Sequence, residues 1–260
     1  MRAWKLLAAG TSLSAVLGCA NTPSPQAKEL LTGGSQAFSR GDYAVAVEKT
    51  DAFLRDNSAK IGADEAYFIR GLAKYNLKDL PGARSDLNEA LNRTKLKQVR
   101  VQSLVALGDI AWDLDDMALA ERHYRQALDD IEDGKAPSDH ARYRLGCVLQ
   151  RRGAWDDADL QFSRVVHFFG TSELGKQAAR RSRCRAWTVQ AGAYRDKARA
   201  DLAAKSLQAQ NLPAKVEALA EDGNLLYVLQ VGRYVQYEQA VAAMPAVKKL
   251  QTDAYVTVTR

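Results

Sequence analysis

A glycine recurs four times along the middle of the chain at nearly constant spacing. Gly34, Gly71, Gly108 and Gly146 are 37, 37 and 38 residues apart. Each is followed 12 residues later by an alanine, and a large apolar residue is expected four positions beyond that. Small residues let two helices cross closely, and large ones fill the space between neighbouring pairs. A fixed period of this length indicates stacked helical units, so the pattern predicts helix pairs over residues 27–170.

This pattern resembles that of the tetratricopeptide repeat family. Each copy has three to four residues more than the family's usual length of about 34. The resemblance covers roughly residues 27–170 in about four repeats. It implies an α-solenoid, wound as a right-handed superhelix, whose concave face binds a protein or peptide.

A short sequence motif, referred to below as the repeated phrase, occurs twice near the C-terminus. Gln190, Gly192 and Tyr194 recur 40 residues later as Gln230, Gly232 and Tyr234. Because a strand alternates its faces, the two glutamines are expected on one sheet face, with an apolar set on the other face: Val189, Ala191, Leu229 and Val231. The apolar face belongs to the core, and the glutamine face is available for a ligand.

The residues around these phrases predict a βαββαβ sandwich with one open sheet face. Glu221-Asp222-Gly223-Asn224 supplies a hairpin turn, with Asp-Gly the favoured dipeptide. Pro245 is expected to kink or end the second helix. The predicted strands are 187–194, 214–220, 225–233 and 254–259, and the predicted helices are 197–210 and 237–250.

The two phrases resemble the paired strands of the SPOR (sporulation-related repeat) domain, over essentially all of 187–260. The resemblance implies binding of peptidoglycan glycan strands stripped of their stem peptides, which recruits proteins to the division septum. Gln190 falls on the family's first-strand glutamine, although a solvated strand residue is the alternative interpretation. Family members often carry Ser, an aromatic residue and a nearby Arg where this chain has Ala193, Leu226 and Val228. Tyr255, on the last strand, is the candidate for the missing aromatic surface.

An RNA-recognition motif has the same strand order but needs basic and stacking aromatic residues on its central strands. The corresponding strands here carry Gln190, Val228 and Gln230. The net charge of +6 is moderate and does not by itself require a polyanion. A nucleic acid partner is therefore not expected.

The N-terminus has the pattern of an export signal. Arg2 and Lys5 precede the apolar stretch 6–17, which is shorter than the roughly 20 residues of a membrane-spanning helix. Val16-Leu17-Gly18-Cys19 resembles the bacterial lipoprotein box, which implies cleavage before Cys19 and acylation of its thiol. Ala20 then favours the outer membrane of a diderm bacterium. The alternative is a cytosolic protein with an apolar tail and a structural cysteine.

No catalytic, metal or cofactor site is expected from the sequence. The three histidines lack a second metal-type ligand at helical spacing on an apolar face, and Asp113, Asp115 and Asp116 fit a solvated turn. Cys147 and Cys184, each predicted to lie in a helix, could form a disulfide or remain two buried thiols. The basic run 180–185 fits an exposed capping helix or a contact with acidic groups.

The sequence therefore predicts a lipid-anchored envelope protein in five segments. Its fold class is a tetratricopeptide-like α-solenoid followed by a βαββαβ SPOR domain, and its work is binding and recruitment in cell division or wall remodelling. An outer-membrane assembly scaffold with a structural C-terminal domain is the alternative. An enzyme of peptidoglycan cleavage is disfavoured because no acidic pair or metal triad appears outside loops. The segments are signal peptide 1–18, tether 19–26, repeats 27–170, capping helix and linker 171–186, and SPOR domain 187–260.

Overall fold

The structure, a computed structural model, describes residues 21–221 and 223–259. The predicted signal segment and Cys19 lie outside these residues. The contacts divide the chain into a first unit ending at Arg144 and a second unit beginning at Leu145. In the part of the chain that is described, no helix is both long enough and apolar enough to cross a membrane.

Consecutive antiparallel helix pairs build the first unit. Asp79 and Asp116 start two of the second helices, since each side chain accepts a hydrogen bond from a first-turn amide at 3.0 Å. The helix α7 contributes residues to both units. The helices are α1 (Pro25–Arg40), α2 (Tyr43–Asn57), α3 (Ala63–Asn76), α4 (Leu80–Arg93), α5 (Lys97–Asp113), α6 (Met117–Asp129) and α7 (Ser138–Arg151).

The anchor glycines lie where the two helices of each pair come closest. A Cβ atom on Gly71 would stand 2.8 Å from Leu87 Cγ, and one on Gly108 would stand 2.6 Å from the Tyr124 ring. The same spacing of 16 residues places Gly34 against Thr50 at 2.9 Å, where a threonine replaces the expected large apolar residue. Gly146 meets Phe162 in the same way in the second unit. The alanines of the pattern are fully buried at Ala46, Ala83, Ala120 and Ala158.

The second unit joins two further helices to a four-stranded sheet. The strands are antiparallel in the order β2-β3-β1-β4. Both helices of the C-terminal domain cover one sheet face, where they bury Val189, Leu229 and Val231. The elements are α8 (Trp155–Phe169), α9 (Glu173–Arg181), β1 (Ala186–Tyr194), α10 (Lys197–Gln208), β2 (Ala214–Glu221), β3 (Asn224–Tyr234), α11 (Tyr237–Lys248) and β4 (Tyr255–Thr259).

Three local expectations differ from the structure. Helix α11 runs without a break through Pro245, whose exposed position near the C-terminal end leaves its ring clear of the core. That helix ends at Lys248 instead of the predicted residue 250, and Leu250 is 42% exposed. Cys184 lies between α9 and β1, not in a helix. Of the two alternatives for Cys147 and Cys184, the structure has the second, in which both thiols are buried and no disulfide joins them.

Candidate functional site

The sheet face turned away from α10 and α11 carries a polar row that crosses all four strands. Gln190 on β1 pairs with Gln230 on β3 and with Tyr255 on β4, and Gln230 also pairs with Lys215 on β2. Residues paired in register share a face and have neighbouring side chains. The two glutamines of the repeated phrase therefore lie side by side, as the sequence predicts.

The members of this row differ in exposure. Gln190 is half-buried, whereas Gln230 is only 8% exposed and its amide oxygen accepts a hydrogen bond from the Thr259 hydroxyl at 3.1 Å. The Tyr255 side chain is 51% exposed. The row thus presents the Gln190 amide and the Tyr255 ring to solvent, with Gln230 held behind them.

Two shorter rows continue the same face toward the β2–β3 hairpin. A register shift between Gln190 and Gly192 brings Ala193 opposite Val228, which in turn pairs with Glu217. Leu226 pairs with Leu219 in the next row. Ala193 is exposed, Leu226 half-buried and Val228 buried. All five residues proposed from the sequence, Gln190, Ala193, Leu226, Val228 and Tyr255, therefore fall on one face.

Strand β2 adds three residues to this face that the sequence interpretation missed. Lys215, Glu217 and Leu219 are exposed and pair with Gln230, Val228 and Leu226. Their alternation with Ala214 and Val216 was the available signal. The Lys215 ammonium forms an ion pair with the Glu217 carboxylate on the same face. The described part of this face is therefore close to neutral.

The glycine and tyrosine of the repeated phrase have a structural role. In each copy the tyrosine ring lies against the glycine two residues earlier, and a Cβ atom would stand 2.9 Å from the ring at Gly192 and 2.3 Å at Gly232. Gly232 also has a φ of 72°, which favours glycine. The phrase thus combines a surface glutamine with a Gly-Tyr contact that shapes the strand.

Next to Gly232, the buried Thr188 hydroxyl bonds to backbone oxygens. It donates to the carbonyls of Val231 and Gly232, at 3.2 and 2.8 Å. The amide of Gly232 in turn donates to the Pro213 carbonyl at 2.9 Å. These bonds fix the irregular end of β3 against β1, next to the polar row.

The face can hydrogen-bond through an amide and a phenol and can offer apolar contact through leucine side chains and the tyrosine ring. Such a mixture suits a polar, uncharged polymer. A polyanion would instead require several unpaired cations, and Lys215, the lysine of the polar row, is already paired.

Comparison with known families decides what this domain is. Residues 185–257 match the family model of the SPOR domain. They form a SPOR domain. The domain is thus a peptidoglycan-binding module, which associates the chain with the cell envelope. Comparison with curated proteins gives no significant match.

Among the solved structures similar to this chain are tetratricopeptide repeat proteins. One from Parabacteroides merdae ATCC 43184 superposes with a TM-score of 0.51 and 18% identity, over 61% of this chain and 59% of its own. The chain thus spans about three fifths of that protein. MamA superposes with a TM-score of 0.47 and 20% identity, over 59% of this chain and 81% of its own. YrrB is described as a tetratricopeptide repeat protein with an unusual peptide-binding site. It superposes with a TM-score of 0.45 and 16% identity, over 87% of each chain. The repeats have the tetratricopeptide fold.

A buried polar cluster in the helical repeats is built around Asp109 on α5. Its carboxylate accepts a hydrogen bond from the Tyr124 hydroxyl at 2.6 Å, lies 2.9 Å from His140 Nε2, and is 3.6 Å from Arg144 Nε. Burial and the Asp109 carboxylate raise the pKa of Tyr124 well above its usual range. The cluster therefore ties three helices together through a tyrosine that remains a hydroxyl donor.

The predicted acidic turn and basic run have structural contacts. Asp116 caps α6, and Asp113 accepts a hydrogen bond from Tyr75 at 2.9 Å. Within residues 21–221 and 223–259, no group of three or more acidic, histidine or cysteine side chains could hold a metal ion. In the basic run, Arg185 forms ion pairs with Asp159 at 2.7 Å and Asp156 at 3.0 Å.

Proposed function

We propose that the SPOR domain binds denuded glycan strands through the face that carries Gln190. The observation behind this proposal is the row across all four strands, with Gln190 and Tyr255 presented to solvent beside the buried Gln230. Sugar hydroxyls would bond to the amide, and a sugar face would lie against the tyrosine ring. Ala193, Leu226 and Val228 would provide the apolar floor.

The helical repeats, residues 27–170, would bind a protein or peptide on the side of their first helices. Side chains from successive first helices meet there. Tyr75 of α3 donates to Asp113 of α5, and the Arg144 guanidinium of α7 lies 5.2 Å from the Trp112 ring of α5. Aromatic and arginine side chains are enriched where protein interfaces gain most of their energy.

The protein as a whole would recruit this partner to the cell wall during division or wall remodelling, without catalysis. A lipid on Cys19 and the tether 19–26 would hold it to the envelope, at the outer membrane. The capping segment 171–186 would lead into the SPOR domain, residues 187–260. Loss of fatty-acid labelling in a Cys19→Ser variant would test the anchor.

Co-sedimentation with cell-wall sacculi tests glycan binding directly. Residues 20–260 would be incubated with sacculi before and after an amidase removes the stem peptides. We expect pelleting that depends on the amidase and falls several-fold with Gln190→Ala. Gln210→Ala provides the matched control, since Gln210 is an exposed glutamine just after α10 and off the sheet. Equal pelleting of all three proteins, or none, would contradict the proposal.

An outer-membrane assembly scaffold is the competing function, in which the SPOR sheet face serves only as structure. Localisation of the lipidated chain in cells separates the two. Septal enrichment that is lost with Gln190→Ala supports recruitment, whereas an even distribution unchanged by that substitution supports the scaffold.

A further inference from the structure

A cleft of about 440 Å³ opens between two second helices of the repeats. Its sides are α4 and α6, and its floor is α5. This volume lies in the range of about 300–1,000 Å³ that is typical of ligand-binding clefts. The lining includes Leu107, Ile110, Ala111, Leu114 and Leu119. These five residues give the cleft an apolar lining that could receive an apolar side chain.

The rim of the cleft is cationic. Arg84 on α4 and Arg122 on α6 are both exposed and line the cleft, and neither forms an ion pair within the described residues. Asp116, also in the lining, caps α6 through its side chain. The guanidinium groups of Arg84 and Arg122 are therefore available to bind a carboxylate. Guanidinium groups bind carboxylates in a bidentate geometry.

His123 also lines the cleft. Its Nδ1 atom is buried and has no hydrogen-bond partner among the described residues. Burial, together with the neighbouring Arg122, lowers the pKa of this histidine. The His123 ring therefore lines the cleft beside Arg122, and the lowered pKa disfavours a third positive charge there.

We propose that this cleft binds a short segment of a partner protein in which an apolar residue stands beside an acidic one. The apolar side chain lies on the α5 floor, and the carboxylate bridges Arg84 and Arg122. The site is separate from the first-helix side discussed above and from the SPOR face, so it does not depend on either.

A membrane surface fits the cleft less well than a peptide does. Recognition of anionic lipid typically uses clusters of four to eight lysines or arginines. Here two arginines stand with the acidic Asp116 around a bounded cleft. The arrangement therefore favours one or two side chains over a headgroup layer.

The test uses residues 20–260 and a defined probe. An acetylated, amidated hexapeptide, Gly-Glu-Leu-Glu-Leu-Gly, would be titrated to millimolar concentration while backbone amide shifts are followed by NMR. We expect shifts centred on residues 84–88 and 107–123. Arg84→Ala or Arg122→Ala should each weaken binding by about tenfold, because each removes a charge-assisted hydrogen bond. Arg125→Ala is the control, since Arg125 lies on α6 outside the cleft and pairs with Glu121.

Two further arms separate the possible occupants. The same peptide with lysine in place of glutamate should not bind, and vesicles containing one-third phosphatidylglycerol should not pellet the protein through these arginines. The proposal is overturned by absent shifts in α4–α6, by shifts that both arginine variants retain, or by vesicle binding that requires Arg84 and Arg122.

Discussion

At the scale of single residues, each helix crossing of the repeats depends on a glycine. Gly108 illustrates this most clearly, because three atoms of the fully buried Tyr124 ring would lie within 2.9 Å of an added Cβ atom. Tyr124 cannot move aside without breaking its 2.6 Å hydrogen bond to Asp109. The glycine therefore sets both the helix spacing and the position of the buried polar cluster.

Substitution of this glycine should destabilise the protein. We expect Gly108→Ala to lower the free energy of unfolding by about 1–3 kcal/mol, since overpacking a fixed core costs this much. Gly33→Ala is the control, because its Cβ atom would meet only the Lys49 side chain at 3.9 Å. Higher helix propensity should make that change neutral or stabilising by up to about 1 kcal/mol. Urea denaturation of both variants checks the difference, and equal effects would contradict it.

His123 should make stability depend on pH. Its pKa in the folded protein is lowered by burial and by Arg122, whereas Gln126 and Asp116 favour the charged form. Below its unfolded pKa of about 6.5, the unfolded chain binds more protons than the folded one at this site, so stability falls as the pH falls. We expect wild type to lose more stability than His123→Gln between pH 7.5 and 5.5. Thermal unfolding across this range measures it, and parallel curves would refute the expectation.

The candidate face could be predicted only in part from single residues. Strand alternation was enough to put Gln190 and Gln230 on one face. The pairing of Ala193 with Val228 depends on register shifts along β1, which depend on backbone geometry and not on the residue pattern. The burial of Gln230 and its bond to Thr259 join distant parts of the chain, so no local pattern could indicate them.

At the scale of elements, α11 tolerates a proline that should have broken it. Pro245 is exposed and lies in the last turn of a helix that ends at Lys248. A proline at such a position removes one backbone hydrogen bond and crowds the carbonyl four residues earlier. The buried Ala240 and Val247, on either side of it, hold the helix against the sheet despite this cost.

Removal of that proline should stabilise the SPOR domain. We expect Pro245→Ala to raise the free energy of unfolding by about 1–3 kcal/mol, because alanine restores the bond and loses little packing at an exposed site. Ala246→Gly, at the next exposed helical position, should act in the opposite direction by up to about 1 kcal/mol. Chemical denaturation followed by circular dichroism distinguishes them. No gain from Pro245→Ala would mean that the local backbone already accommodates the ring without cost.

The elements themselves were the most predictable part of the molecule. The glycine spacing predicted the crossings of the repeats because each crossing is a local contact within one helix pair. Thr50 departs from the pattern because a threonine can bond back to the Ala46 carbonyl at 2.6 Å while its methyl group fills the crossing. Contacts between the last helices and the SPOR domain were not predictable, since they join residues that are far apart in the chain, such as Trp155 with Trp187 and Arg151 with Tyr237.

At the scale of the whole molecule, the last repeat helices and the SPOR domain belong to one unit. Trp187 of β1 lies 5.9 Å from the Trp155 ring of α8 and 4.9 Å from the Tyr237 ring of α11. The Arg151 guanidinium stands 4.0 Å from the centre of the Tyr237 ring. The ion pairs of Arg185 join the start of the sheet to α8. The SPOR domain therefore packs against these helices and is not joined to them by a flexible linker alone.

Because of this packing, we expect a substitution in α8 to reduce the stability of the sheet that carries Gln190. Trp155→Ala should lower the stability of the second unit by about 1–3 kcal/mol, because it removes an aromatic contact with the buried Trp187. Hydrogen exchange followed by mass spectrometry should then show faster exchange in β1, at residues 187–191. Trp112→Ala, a substitution of the same size in the first unit, should leave exchange in β1 unchanged. If β1 exchanges at the wild-type rate in the Trp155 variant, the sheet is stable without α8, and the face that carries Gln190 folds independently of the repeats.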